Sequence, residues 1–252
     1  MKIVIVGTGN VATVLGKKLV AAGHEIVQVY GRDTTAASKL AYEWGTKSIN
    51  YTSLITRDAD LYLIAVADAA IPVIAADLQL KDKVVAHTAA AVPMEALEKV
   101  SENYGVFYPL QSIRKEQVVF PELTIYTEAV NVYTRNVLDH LAQSITDLPV
   151  HHADIALRSK LHVAAVFVNN FTNYLFDLAE TFCEKEGIGF DELLPLIRNT
   201  VDRLTTDRPR NMQTGPAIRK DLETIARHKA LLNNYPEQLA VYDFLSNALM
   251  HH

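Results

Sequence analysis

Six residues near the amino terminus, Gly7-Thr8-Gly9-Asn10-Val11-Ala12, have the types and the spacing to hold a phosphate on backbone amides. Gly7 permits a tight turn. Gly9 has no side chain to keep a pyrophosphate away from the backbone, and Ala12 is small enough for close helix–strand packing. The amides that open the following helix would face the phosphates. The turn directly follows the apolar run 3–6. It precedes a periodic stretch, 11–22, with Val11, Val14, Leu15 and Leu19 on one side and Gly23 as the stop signal. Strand, glycine turn and helix in that order predict a dinucleotide site of the Rossmann type.

The end of the second strand, 26–30, decides which dinucleotide. NAD sites place an acid there to bond the ribose 2′-hydroxyl. Here Tyr30 and Gly31 stand in that slot, followed by Arg32 and Asp33. A guanidinium pairs bidentately with a 2′-phosphate, so Arg32 points to NADP(H). Asp33 either serves as the ribose acid or caps the next helix.

Other residues follow predicted strands, where the cleft of such a sheet lies. They are Ala67 and Asp68, then His87 and Thr88, then Gln111 and Ser112. Backbone groups at Ala67 and Thr88 would neighbour the ribose and nicotinamide. His162 and Asn170, eight positions apart in an apolar helical stretch, fall on about the same side of a helix. Either they meet a substrate, His162 as proton donor or carbonyl polariser and Asn170 as hydrogen-bond donor, or they are satisfied polar groups of a core. Thr214-Gly215-Pro216 reads as a turn into a helix, with Arg219 and Asp221 in its first turns. Arg219 would clamp a substrate carboxylate or phosphate, or join Asp221 in a structural network. His151 and His152 are adjacent in an extended segment and point opposite ways, so no metal site is expected.

The elements that must position these residues alternate in the first half. Strands are expected at 3–6, 26–30 and 60–68, in "KVVAHT", "GVFYPL" and "LTIYTE", with "DLPVHHAD" a last strand or an extended link. Helices are expected at 11–22, 35–44, 71–80, 93–100 and 131–145. That alternation makes the fold α/β, a mostly parallel doubly wound sheet covered on both faces. Beyond residue 153 strand signals vanish. One long helix is expected over 155–186, then helices at 191–204, 219–233 and 236–249. The expected domains are 1–152, nucleotide-binding, and 153–252, helical. The apolar stretch 161–171 suits a buried helix or a subunit interface, hence an expected homodimer.

Composition agrees with a globular protein: 252 residues, 49% hydrophobic and 21% charged. A net charge of −5 argues against nucleic acid as a partner. Cys183 stands alone, so no internal disulfide forms and a reducing, cytoplasmic setting fits; it reads as a core residue. No stretch is long and apolar enough to span a bilayer, and none reads as a signal peptide.

Taken with "GRD", "LIAVAD", "VVAHTAAA" and "YPLQS", the segments "HVAAVFVNNF" (162–171) and "TGPAIRKDLETIARH" (214–228) carry a resemblance over essentially the whole chain. The sequence resembles bacterial NADP-dependent oxidoreductases that join a Rossmann domain to a helical domain of unknown function. They sit within the 6-phosphogluconate dehydrogenase-like superfamily, beside pyrroline-5-carboxylate reductase, ketopantoate reductase and the deazaflavin-dependent NADP reductases. The resemblance implies NADP, a helical domain that closes over the nicotinamide, and a lysine near the start of the long helix, here Lys160, as a catalytic candidate. With the residues above, the leading expectation is reduction of a C=O or C=N bond in a small acidic metabolite, with a pocket around Thr88, Ser112, His162, Asn170 and Arg219. The chain departs from the group where "HTSG" becomes His87-Thr88-Ala89-Ala90 and "HPLQS" begins with Tyr108. Those departures keep a second reading open: a nucleotide-binding sensor or scaffold without turnover.

Overall fold

Apolar runs without polar alternation, such as Lys2–Val6 (β1) and Leu61–Ile64 (β4), become central strands covered on both faces. The computed structural model of the chain describes residues 1–117 and 119–251. Contacts divide it into two compact units, Met1–Phe167 and Val168–His252. The break falls fifteen residues beyond the 152/153 boundary read from the sequence, inside the long helix rather than before it.

In the first unit, β1 is followed by α1 (Asn10–Ala21), β2 (Glu25–Tyr30), α2 (Thr34–Glu43) and β3 (Lys47–Ile49). Then come β4, α3 (Ile71–Asp77), β5 (Lys81–His87), β6 (Ser101–Leu110), β7 (Thr124–Ala129), α4 (Val132–Gln143) and β8 (His151–His152). The sheet runs β3-β2-β1-β4-β5-β6-β7-β8. It is parallel from β3 through β6; β7 runs antiparallel to β6, and β8 parallel to β7. The chain leaves β1 towards β2 and returns on its other side as β4. That reversal opens the crevice where open α/β sheets bind ligands. Two apolar layers cover the faces: Leu15, Leu19, Phe107 and Leu138 on one side, Tyr62, Ile71, Val85 and Leu97 on the other. Asn131 caps α4, its side chain accepting from the Thr134 amide at 2.8 Å.

Some elements differ from expectation. Residues 93–100 form only a short 3₁₀ turn, Met94–Leu97, because β6 already begins at Ser101, where it pairs with Lys81 of β5. β4 stops at Ile64, where residue 65 turns over the glycine loop. β3 carried no sequence signal of its own; three residues suffice once α2 returns the chain to β2.

The long helix is α5 (Ile155–Ala165), a π segment (Val166–Phe171) and α6 (Thr172–Glu186). The second unit continues with α7 (Leu194–Asp202), α8 (Leu222–Leu231) and α9 (Pro236–Met250). α8 starts at Leu222, not at residue 219, because Asp221 is its N-cap and accepts from the Thr224 amide at 3.0 Å. Within this unit α6 meets α9 through Tyr174 Oη donating to Glu237 at 2.5 Å, and α8 meets α9 through Lys229 and Asp243 at 2.7 Å. Among the described residues no helix is long and apolar enough to cross a membrane.

Candidate functional site

The carboxyl ends of β1, β2, β4 and β5 enclose a cleft of about 750 Å³ in the first unit. Gly7, Thr8, Gly9, Asn10, Val11, Gly31, Arg32, Asp33, Ala67 and Thr88 all line it. Gly7 sits at φ +128°, and a Cβ there would lie 2.1 Å from the Ala65 carbonyl oxygen, so only glycine fits. A Cβ on Gly9 would meet nothing within 4 Å, which leaves open space above the turn for a ligand. Gly9 is also the N-cap of α1, with no side chain to occupy the first amides and no acid in the first turn. That helix end therefore presents unsatisfied donors and a positive dipole to the cleft. Ala12 lies beneath, fully buried, and packs α1 onto the sheet.

At the other end of the cleft, Asp33 caps α2 through its Oδ1, which accepts from the Ala36 amide at 3.0 Å. The capping alternative for Asp33 is thus realised. Arg32 is exposed and, among the described residues, makes no ion pair or hydrogen bond, so its guanidinium is available to an anion. A glycine cradle that only backbone can form, free amides and an available guanidinium fit a dinucleotide carrying a 2′-phosphate. Tyr30, Ala65, Val66, Ala70 and Ile74 also line the cleft. The sequence signal for Ala65 and Val66 was their place directly after the strand "LYLI". Asp68 lies just outside this lining, in the 3₁₀ turn Asp68–Ala70.

The segment leaving β5 is held from within. His87 is fully buried, its Nε2 3.3 Å from the Pro93 carbonyl and its Nδ1 accepting from the Ala89 amide at 3.2 Å. Burial pulls its pKa down to about 4, so the ring is neutral and braces the loop instead of facing the cleft. Arg158 of α5 is also fully buried. It donates to the carbonyls of Ala90 (3.3 Å), Val92 (2.9 Å) and Ala153 (2.9 Å) and pairs with Glu128 of β7. One guanidinium thus ties the loop after β5, strand β7 and the entry to α5. Sequence reading passed over Arg158, since a charge in the first turns of a helix normally faces solvent. Tyr108, near the end of β6, packs with Ala90 and Val106, and its Oη lies 3.4 Å from His162 Nδ1.

The remaining predicted residues are dispersed. Lys160 is exposed on α5. Gln111 donates to the Glu122 carbonyl at 3.3 Å and accepts from the Ser112 amide at 2.9 Å; neither residue lines the cleft. Asn170, Arg219 and Asp221 belong to the second unit. Asn170 is exposed in the π segment and Arg219 is exposed before α8. The Asp221 carboxylate is held below the usual carboxylate range by the Thr224 amide and hydroxyl, and is engaged as the cap.

A doubly wound sheet with a glycine turn at its reversal point defines a dinucleotide-binding Rossmann protein. Comparison with known proteins narrows that class. Residues 2–91 match a family described as NADP oxidoreductase, coenzyme F420-dependent, and residues 123–249 match the domain of unknown function DUF2520. A Bacteroides fragilis protein provisionally assigned as an NADP oxidoreductase is 34% identical, with 100% of this chain and 98% of that one covered and a TM-score of 0.92. The chain belongs to this family: an NADP oxidoreductase domain followed by the helical domain DUF2520. A reductive aminase from Aspergillus terreus, in complex with NADPH and ethyl levulinate, shares the fold at 16% identity, covering 99% of this chain and 92% of that one, TM-score 0.75. An imine reductase from Myxococcus stipitatus, in complex with NADP+, does so at 14%, covering 100% and 93%, TM-score 0.70. No curated protein matches the chain significantly.

Proposed function

We propose that this chain binds NADPH in the cleft of its first unit and reduces a C=N or C=O bond in a small acidic metabolite. The observation that carries the reading is the cleft itself: a turn that only Gly7 can make, open space over Gly9, free α1 amides and an available Arg32. The α1 amides would hold the pyrophosphate, Arg32 the 2′-phosphate, and Thr88 with Ala67 the nicotinamide ribose. When bound, NADPH supplies the hydride; the protein supplies orientation, exclusion of water and a proton. The imine reductase and reductive aminase that share this fold favour C=N over C=O as the bond reduced. Within the first unit, Lys160 and Ser112 are the proposed contacts to the substrate's polar groups.

The second unit exposes Leu196 (63%), Leu231 (67%) and Phe244 (72%), and α5 exposes Val163 (58%). Apolar area of that kind on a soluble enzyme is covered by another protein surface, and we assign it to a second copy of this chain. Sedimentation velocity should show a dimer, and Phe244→Asp should weaken it; a wild-type monomer would remove this assignment.

The function is tested by NADPH oxidation with a panel of cyclic imines and 2-oxo acids. Turnover of at least one imine is expected. Buried Ala89 and Ala90 beside Thr88 place no polar group there for a substrate, which favours the alternative of a nucleotide-binding sensor. Tight NADPH binding with no turnover across the panel would establish that alternative.

A further inference from the structure

β5 and β6 run parallel, with His87 opposite Val106. Tyr108 lies two residues further along β6, beside the segment that leaves β5 and lines the cleft at Thr88. It packs in one cluster with Ala90, Val106 and Tyr126, and is only 7% exposed. The phenol therefore stands at the sheet's carboxyl edge, next to where the cleft ends. From α5, His162 approaches with Nδ1 3.4 Å from the phenolic oxygen, while the histidine itself is exposed.

Other groups at this edge are committed or are weaker acids. Both ring nitrogens of His87 are occupied by backbone. Arg158 is spent on Glu128 and three carbonyls. Thr88 offers an aliphatic hydroxyl, a far weaker acid than a phenol. Burial pushes the Tyr108 phenol up, with Tyr126 acting the same way and the Arg158 guanidinium opposing it, so the phenol keeps its proton at neutral pH. A protonated phenol in a dry position, backed by an imidazole open to water, has both a proton to give and a route to replace it.

Resting on the reductase reading, we propose that Tyr108 is the proton donor of the reduction and that His162 reprotonates it. As hydride from NADPH forms the new C–H bond, the C=N π pair moves to nitrogen. Nitrogen takes the phenolic proton: the O–H bond breaks and an N–H bond forms. The phenolate recovers its proton from the Nδ1–H of His162, whose exposed ring takes one replacement proton from solvent. The sum is imine, NADPH and one proton giving amine and NADP+.

The test uses the full-length protein, NADPH and 2-methyl-1-pyrroline as the probe imine. Tyr108→Phe keeps the packed ring and removes the hydroxyl. It should lower kcat by about a hundred-fold or more while KM and the NADPH Kd stay within about twofold. His162→Ala should lower kcat less, with part of the loss restored by added imidazole. A wild type that turns over and a Tyr108→Phe variant that is equally fast would overturn the donor assignment and leave the reductase reading standing. A His162→Ala variant as fast as wild type, or one that added imidazole does not restore, would overturn the pair. A wild type inert towards this imine and towards the whole panel of cyclic imines and 2-oxo acids would remove the reductase reading, and the donor with it.

Discussion

Residues 1–167 contain most of the buried apolar side chains, in two layers either side of the sheet. Among the described residues of 168–252, only Leu178, Cys183, Ala217, Ile225 and Tyr235 are apolar and buried. The first unit can bury its own hydrophobic surface, and its cleft is preformed from backbone and glycine. The second is held by polar links between α6, α8 and α9, such as Tyr174 with Glu237 and Lys229 with Asp243, and leaves large apolar residues outside. The difference teaches where rigidity comes from. The first unit has it from its own core; under the dimer proposal the second would draw it from a second copy of the chain.

Substitutions can break this comparison. The largest effect is expected at Gly7, where any Cβ strikes the Ala65 carbonyl. Gly7→Ala should reduce NADPH affinity by about a hundred-fold or more by calorimetry, since the turn must reshape to avoid a backbone clash. Next is Arg158. Arg158→Met leaves Glu128 and three carbonyls of a buried site without their donor, and should cost about 3–5 kcal/mol in urea unfolding. A loss under 1 kcal/mol would mean that this charge does not hold the first unit together.

Acid should then act on the first unit through His87. Its folded pKa of about 4 lies below the ordinary 6.5. Between these values the unfolded chain binds the proton and the folded one does not, so stability falls as pH drops through that window. The full loss is on the order of 3 kcal/mol, complete below about pH 4. His87→Gln should flatten this part of the pH profile. The smallest effect belongs to the second unit: Asp221→Ala should cost about 1 kcal/mol, seen as faster amide exchange confined to the start of α8. A change in NADPH affinity on the same substitution would break the division of roles.

Sequence reading served the two units unequally. The glycine turn, "GRD" and the strands were legible because they rest on local backbone chemistry: a φ that only glycine adopts, a missing acid, an apolar run. His87 was read as a cleft residue because it ends a strand, but the side chain alternates to the core face there. Arg158 and the Tyr108–His162 contact were invisible, since Glu128, Val92 and Ala90 lie 30 to 68 residues from Arg158, and Tyr108 lies 54 from His162. In the second unit the helices were legible by period. Their register was not: Asp221 turned out to be the cap rather than a residue inside the helix.

The central claim is that the first unit is an NADPH site selected by Arg32. Calorimetric titration of wild type and Arg32→Ala with NADPH and with NADH tests it most directly. The account predicts that wild type prefers NADPH, that Arg32→Ala weakens NADPH by about ten- to a hundred-fold, and that NADH binding is unchanged. Equal NADPH affinity in the two proteins, or a wild type that prefers NADH, would contradict it.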